Sequence, residues 1–300
     1  MVNPDRLSGI AAFVHAAEAG NFSAAADRMR LSRSAVAKSV ARLEERIGTR
    51  LFQRTTRSQS LTEDGALFYQ RCLRVLAELD QAEDALHDSR SEVSGRMRIT
   101  MPVQLGRRCI APLLLALAQA HPRLKLDLSF SDRRIDLIEE GIDLAIRSGV
   151  LPDNSDYQMR LLGMQRMALC ASRAYLDKHG SPASLTELVN FDCIIYGRGL
   201  TSGLWRFERA EGGESVVEVP ARICMDDLET MLDSVRAGLG IARLPVWLAD
   251  AELKAGSIVQ VLPGELAVSY PLHLIWPASR QHSRRLRVVI DELATRLKFE

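Results

Sequence analysis

Nine basic side chains are gathered between Arg28 and Arg57: Arg28, Arg30, Arg33, Lys38, Arg42, Arg46, Arg50, Arg54 and Arg57. Only Glu44 and Glu45 stand against them. Side chains of this type at this density bind a polyanion, because guanidinium and ammonium groups neutralise phosphates and reach base edges. The next stretch, 58–90, holds seven acids against three bases. The formal net charge of +1 over 300 residues therefore conceals a segregated basic block. A solvated helix face would account for such a run equally well, so the elements beneath it decide between the two.

Residues 5–19 place Leu7, Ile10, Ala11, Phe13, Val14 and Ala17 at helical spacing, and Gly20 ends that helix. Ser23 reads as the N-cap of a second helix, in which Ala24, Ala25 and Ala26 permit close approach. This helix ends near Met29, and Leu31 anchors a turn. Ser32 caps a third helix that runs to Ile47 and stops at Gly48. Val36, Val40, Leu43 and Ile47, spaced 4, 3 and 4, form its buried face. Arg33, Ser34, Ala37, Lys38, Ala41 and Arg42 lie on its other faces. The pattern is a helix-turn-helix with a basic outer surface. Residues 50–52 and 60–62 read as two short strands of a wing. Its tip carries Arg54 and Arg57, suited to the phosphate backbone or minor groove.

Thr62 can cap a long helix over 63–90. Phe68, Cys72, Val75, Leu79, Ala82 and Leu86 follow at spacings of 4, 3, 4, 3 and 4, a heptad seam suited to pairing with a second copy of the chain. The alternative is a helix packed inside its own domain. Residues 89–95 are polar and read as a linker. Beyond it, strands are expected at 97–101, 124–130, 142–146, 167–171, 193–196, 216–224, 258–262 and 272–276. Helices are expected at 105–120, 135–140, 226–237 and 283–298. Strands alternating with helices imply an α/β domain with largely parallel sheets.

Composition removes several classes of function. Aromatic residues make up 5% of the chain, too few for a stacking platform for single strands. No apolar run is long enough to span a bilayer, and Met-Val-Asn-Pro-Asp lacks the basic and apolar regions of a signal peptide, so a cytoplasmic protein is expected. Five cysteines without close pairs argue against a disulfide framework. The six histidines show no metal-ligand spacing. There is no Gly-x-Ser-x-Gly and no Gly-rich phosphate loop, which argues against an enzyme carrying a DNA-binding head.

The run Leu31-Ser32-Arg33-Ser34-Ala35-Val36-Ala37-Lys38-Ser39-Val40, continued by Ala41-Arg42-Leu43-Glu44-Glu45-Arg46-Ile47-Gly48, by Thr49-Arg50-Leu51-Phe52-Gln53-Arg54-Thr55 and by Leu61-Thr62-Glu63-Asp64-Gly65, closely resembles the winged helix-turn-helix of LysR-type transcriptional regulators. Gly95-Arg96-Met97-Arg98-Ile99, Asp143-Leu144-Ala145-Ile146-Arg147 and Gly238-Leu239-Gly240-Ile241-Ala242 resemble stretches of that family's effector domain. The resemblance implies an α+β and α/β architecture: a winged domain over 1–62, a linker and dimerisation helix over 63–90, a hinge at 91–95, and a two-lobed effector domain like the periplasmic binding proteins. Lobe I would comprise 96–164 and 269–300, and lobe II 165–268. Expected partners are double-stranded DNA, a small-molecule effector, further copies of the chain as a dimer or tetramer, and RNA polymerase, with no cofactor and no membrane. Many members have Gln-Pro where this chain has Arg33-Ser34, and Ser-Arg where it has Ala37-Lys38.

On that fold, Arg33, Ser34 and Lys38 are the expected base contacts, with Ala37 against a thymine methyl and a phosphate as the alternative for Lys38. Arg42, Arg54 and Arg57 would add contacts, and Ser23 and Ser32 would present helix N–H groups to phosphates. In the effector domain Thr100, Pro102, Val103 and Gln104 form a strand-to-helix turn that favours an anion, with Arg147 on the same edge. Tyr196, Trp205 and Asp226 are expected to line the second lobe. The effector would be a small, partly apolar carboxylate. The alternative is a thiol- or pH-sensing regulator of the same fold.

Overall fold

The structure is a computed structural model that describes residues 5–54, 59–87, 93–151, 155–199, 201–209, 211–280, 283–297 and 299. Helices α1 (Asp5–Ala19), α2 (Phe22–Met29) and α3 (Arg33–Ile47) lead to a two-stranded antiparallel wing, β1 (Phe52–Arg54) and β2 (Gln59–Leu61). Helix α4 (Glu63–His87) follows. Val36, Val40 and Leu43 of α3 are fully buried against Phe13 and Phe52, whose rings meet edge to face at 5.4 Å. Ile47 departs from the expected stripe. It is 38% exposed, because the helix ends at Gly48 in the left-handed conformation and the core no longer reaches its last turn.

Two caps differ from each other in outcome. Ser32 caps α3 as expected, its Oγ accepting from Ala35 N at 3.1 Å. For α2 the cap is Asn21, whose Oδ1 accepts from Ala24 N at 2.8 Å, so Ser23 lies within the first turn and is exposed. Asn21 precedes the helix and has the extended backbone that a cap requires; Ser23 does not.

The heptad seam of α4 divides. Phe68 and Cys72 pack into the chain's own winged-domain core, with Cys72 buried and Phe68 5.5 Å from Phe13. Val75 and Leu79, one and two turns later, are 43% and 38% exposed. Packing within the domain therefore claims the first two positions, and the exposed seam starts at Val75. The side chains of Ala82, Leu86 and Arg54 lie outside the described residues, as does Arg57.

The remaining chain builds one mixed sheet of ten strands, ordered β11-β6-β10-β7-β9-β8-β12-β5-β3-β4. One end holds β3 (Gly95–Met101), β4 (Leu124–Phe130) and β5 (Leu144–Ser148), mutually parallel. They are covered by α5 (Val103–Leu105), a π-helical turn (Gly106–Ile110), α6 (Ala111–Ala120) and α10 (Arg284–Arg296). The other end holds β7 (Cys193–Tyr196), β8 (Ser202–Glu208), β9 (Glu214–Met225), β10 (Ile241–Pro245) and β11 (Ile258–Gln260). There α7 (Arg173–His179), α8 (Leu228–Arg236) and α9 (Val246–Ala255) cover it. Two long strands, β6 (Tyr157–Ser172) and β12 (Ala267–Pro277), pair antiparallel and join the two ends.

The sheet is thus not largely parallel. The pairs β3–β4, β3–β5, β7–β9 and β7–β10 are parallel, whereas β8–β9 and every pairing of the joining strands β6 and β12 are antiparallel. Apolar side chains of 93–146 and 272–297 form one core, and those of 168–267 form two more on the two faces of the second end. The expected helix at 135–140 is a run of turns. Asp136 Oδ1 accepts from Ile138 N and Glu139 N at 2.9 and 2.8 Å, satisfying those donors locally without a helix to continue. Arg96 ties the two parts of the molecule together, reaching Glu18 of α1 at 3.1 Å and Asp127 of β4 at 2.7 Å.

Candidate functional site: nucleic-acid interface and ligand cleft

The buried row Val36, Val40 and Leu43 turns the opposite face of α3 outward. Arg33, Ser34, Lys38 and Arg42 are exposed there, and Ala37 is half-buried between them. Among the described residues Arg33, Lys38 and Arg42 make no ion pair or hydrogen bond, whereas Ser34 Oγ lies 3.0 Å from Ser32 Oγ. Three cations with no internal partner on one helical face have their charge available for an external polyanion.

The placement of α3 relative to the wing rests on a residue that sequence reasoning counted merely as an opposing charge. The Glu44 carboxylate accepts from Leu51 N at 2.8 Å and Phe52 N at 3.1 Å, clamping the end of α3 to β1. Thr62 continues the fastening. Its hydroxyl donates to Arg50 O at 2.8 Å and accepts from Gly65 N at 2.9 Å, joining wing to α4. Gly65 is required by closeness: a Cβ there would lie 2.0 Å from Leu51 O.

Between the two ends of the sheet lies a cavity of about 630 Å³. Of the expected effector residues, Pro102, Gln104, Arg147, Tyr196, Trp205 and Asp226 line it. Thr100 and Val103 stand behind the wall. Thr100 is fully buried, and its Oγ1 accepts from an Arg147 Nη at 3.0 Å. Arg147 also donates to the Ile146 carbonyl at 2.8 Å and to the Arg133 carbonyl at 3.3 Å. Val103 N donates to Asp132 Oδ1 at 3.3 Å, so the helix start expected to receive a ligand anion faces a carboxylate of the chain itself. Trp205 is 4% exposed and belongs to a core as well as to the cavity wall.

Acids crowd this rim. Burial raises the Asp132 carboxyl above its ordinary value and Asp226 and Asp227 push it the same way, against the Val103 hydrogen bond and Arg147. Burial lowers Arg147 from the usual arginine range, with Asp132 opposing. Asp227 moves the other way. It caps α8, accepting from Thr230 N at 2.8 Å and from the Thr230 hydroxyl at 2.7 Å, and these bonds favour its charged form. Two contacts cross the cavity edge from the first end of the sheet to the second. Gln104 Nε2 donates to Asp227 at 3.1 Å, and Arg108 holds Glu229 at 3.2 and 2.5 Å. Arg108 sits in the π-helical turn, an interruption of the kind found at functional positions.

Residues 7–66 match the bacterial regulatory helix-turn-helix protein family of lysR type, and residues 90–298 match the LysR substrate binding domain. The chain belongs to the LysR family. It is 35% identical over 296 residues to the probable HTH-type transcriptional regulator LtrA of Klebsiella pneumoniae, covering 98% of this chain and 95% of that one. The solved structure of the LysR-type transcriptional regulator CrgA from Neisseria meningitidis is 30% identical, with a TM-score of 0.61 over 98% of this chain and 99% of that one. The full-length structure of the Vibrio cholerae virulence activator AphB is 25% identical, with a TM-score of 0.64 over 97% and 100%. LysR-family proteins are DNA-binding transcriptional regulators with an effector-binding domain, not enzymes.

Sequence reasoning about this LysR-family chain missed Asp132, Asp227, Gln165, Arg243, Trp247 and Tyr270, all of which line the cavity. Arg243 lies in β10, a strand that was not expected, and Tyr270 lies in β12 ahead of the strand expected at 272–276. Trp247 begins a helix that was not expected, and its Nε1 donates to Gln165 Oε1 at 3.2 Å. Burial disfavours the thiolate at four of the five cysteines. Burial pushes Cys72, Cys170 and Cys193 up to about 12 and raises Cys109 as well, so they remain protonated at neutral pH. Among the described residues no group of His, Cys, Asp and Glu is arranged to hold a metal ion, and no helix is long and apolar enough to cross a membrane.

Proposed function

We propose that the chain is a cytoplasmic, sequence-specific transcriptional regulator that places α3 in the major groove of duplex DNA and takes a small molecule into the cavity between the two ends of its effector domain. The observation that carries this reading is the face of α3. Arg33, Lys38 and Arg42 are exposed and, among the described residues, have no internal partner, on a helix clamped by Glu44 and by a buried apolar row. Arg33 and Lys38 reach base edges, Ser34 and Ala37 lie between them, and Arg42 serves a phosphate. Two heads are required to read two half-sites, and the exposed Val75 and Leu79 of α4 supply the surface on which two copies pair.

The ligand acts across the Gln104–Asp227 contact, which joins the two walls of the cavity, and the Arg108–Glu229 ion pair outside it, which links the same two ends of the sheet. A molecule that favours one separation of those walls shifts the population of that state and so repositions the heads. A competition gel shift tests the reading. A duplex containing the operator should displace the labelled operator from the full chain, whereas random duplex of equal length should not. Equal displacement by both would defeat it.

A further inference from the structure

Six charged side chains line the cavity, Arg134, Arg147 and Arg243 against Asp132, Asp226 and Asp227, and their formal charges cancel. Five of the six also have a partner within the chain. Arg147 donates to the Thr100 hydroxyl and to two carbonyl oxygens. Arg243 donates to the Tyr270 hydroxyl at 2.7 Å. Asp227 caps α8 and accepts from Gln104. Asp226 accepts from Arg198 Nε at 2.5 Å, and Asp132 from Val103 N at 3.3 Å. Arg134, the sixth, is exposed, and solvent screens its charge. A charged ligand entering this cavity loses water without meeting a free buried counter-charge, and three of the six lining charges repel it.

The rest of the wall suits an aromatic body. Aromatic residues are 5% of the chain, yet Tyr157, Tyr196, Trp205, Trp247 and Tyr270 all line this cavity. Two of their polar edges are already occupied: the Tyr157 hydroxyl donates to Asp136 at 3.0 Å, and Trp247 Nε1 donates to Gln165 at 3.2 Å. What these rings still offer is π surface, which packs on a planar apolar molecule. Met159, Met167 and Met231 add unbranched thioethers that adapt to a ring edge. The volume of about 630 Å³ lies within the range of pockets that enclose drug-sized molecules.

Resting on the proposal that this cavity takes the effector, we infer that the effector is an uncharged molecule with at least two aromatic rings, held by ring contact and shape without an ion pair. This departs from the small carboxylate expected from the sequence. The helix start at Val103 is already occupied by Asp132, and Arg147 is committed to the wall.

The test titrates the full chain by calorimetry with four probes: naphthamide, its anionic and cationic counterparts naphthoate and naphthylmethylammonium, and the single-ring benzamide. Naphthamide should bind wild type, with the other three at least about tenfold weaker. Met159→Trp fills the cavity from an exposed position and should weaken naphthamide about tenfold. Asp226→Asn leaves the lining with a net positive charge and should narrow the gap between naphthamide and naphthoate at least about threefold. The inference is overturned if naphthamide does not bind, if either charged probe or benzamide binds as tightly, or if Asp226→Asn leaves the gap unchanged. A charged probe that binds best and is weakened by Met159→Trp would keep the cavity as the ligand site while overturning the uncharged class. Probes ranked as expected but indifferent to Met159→Trp would lie outside the cavity and defeat the reading on which the inference rests.

Discussion

The winged head and the effector cavity use arginine in opposite ways. On α3 Arg33, Lys38 and Arg42 stand exposed and, among the described residues, without an internal partner, held outward by a core row four and three residues apart. In the cavity Arg147 has three internal acceptors, so its charge holds the wall before any ligand arrives. The head is built to meet a large external anion whose position it does not fix. Solvated charges give affinity that salt screens, and buried ones give selectivity that salt barely touches.

Salt separates the two regions most widely. If a dimer makes 6–10 phosphate contacts, specific DNA affinity should fall about 10³–10⁵-fold between about 50 and 200 mM salt, measured by fluorescence anisotropy. Ligand affinity in the cavity should move far less over the same range. Equal sensitivity in both would erase the distinction.

Gly65→Ala attacks the head alone. A Cβ 2.0 Å from Leu51 O forces wing and α4 apart. The cost should be about 3 kcal/mol in head stability, read as a lower melting transition with loss of DNA binding. The effector domain should keep its own transition. Thr100→Val sharpens the other side by removing the hydroxyl that Arg147 Nη holds at 3.0 Å inside a dry wall. Ligand affinity should drop about tenfold by calorimetry, with the salt slope of DNA binding unchanged.

The smallest effect is expected at Asp132. Its folded pKa is raised by burial and by Asp226 and Asp227, so its charge opposes folding at neutral pH. Asp132→Asn keeps an acceptor for Val103 N and should raise the melting temperature only slightly at pH 7, because the exposed carboxylate is screened by solvent. The gain should shrink as pH falls through the raised value and vanish below the ordinary carboxylate value of about 3.9. A gain independent of pH would deny the charge a part in it.

The head was largely legible because its signals are local. The Val36–Val40–Leu43 row, the Ser32 cap and the Gly48 stop all act within a few residues of one another. One of its errors is local and the other is a long-range contact between α1 and α4. Asn21 rather than Ser23 caps α2, and Phe68 and Cys72 fill their own core because Phe13 reaches them. The role of Glu44 was hidden, since the two amides it holds lie seven and eight residues away on another element.

The cavity was only half legible because it is assembled from distant positions. Gln104 meets Asp227 across 123 residues, and Trp247 meets Gln165 across 82. Arg147 was recognised at a strand end, but its partner Thr100 lies 47 positions earlier, so the hydrogen bond that holds it was not legible. The joining strands β6 and β12 were read only in part, because their partly exposed middles lack regular alternation. Arg243 and Tyr270 stand 27 residues apart on separate strands, and only their register against β6 brings them together.

The direct test of α3 as the reading element is selection of bound duplexes from a random pool by wild type and by Lys38→Ala. Wild type should enrich a sequence with two related half-sites. The variant should bind it about 1–3 kcal/mol more weakly and lose preference at one base pair in each half. An enriched sequence identical in both proteins, or none in either, would contradict base reading by Lys38 of α3.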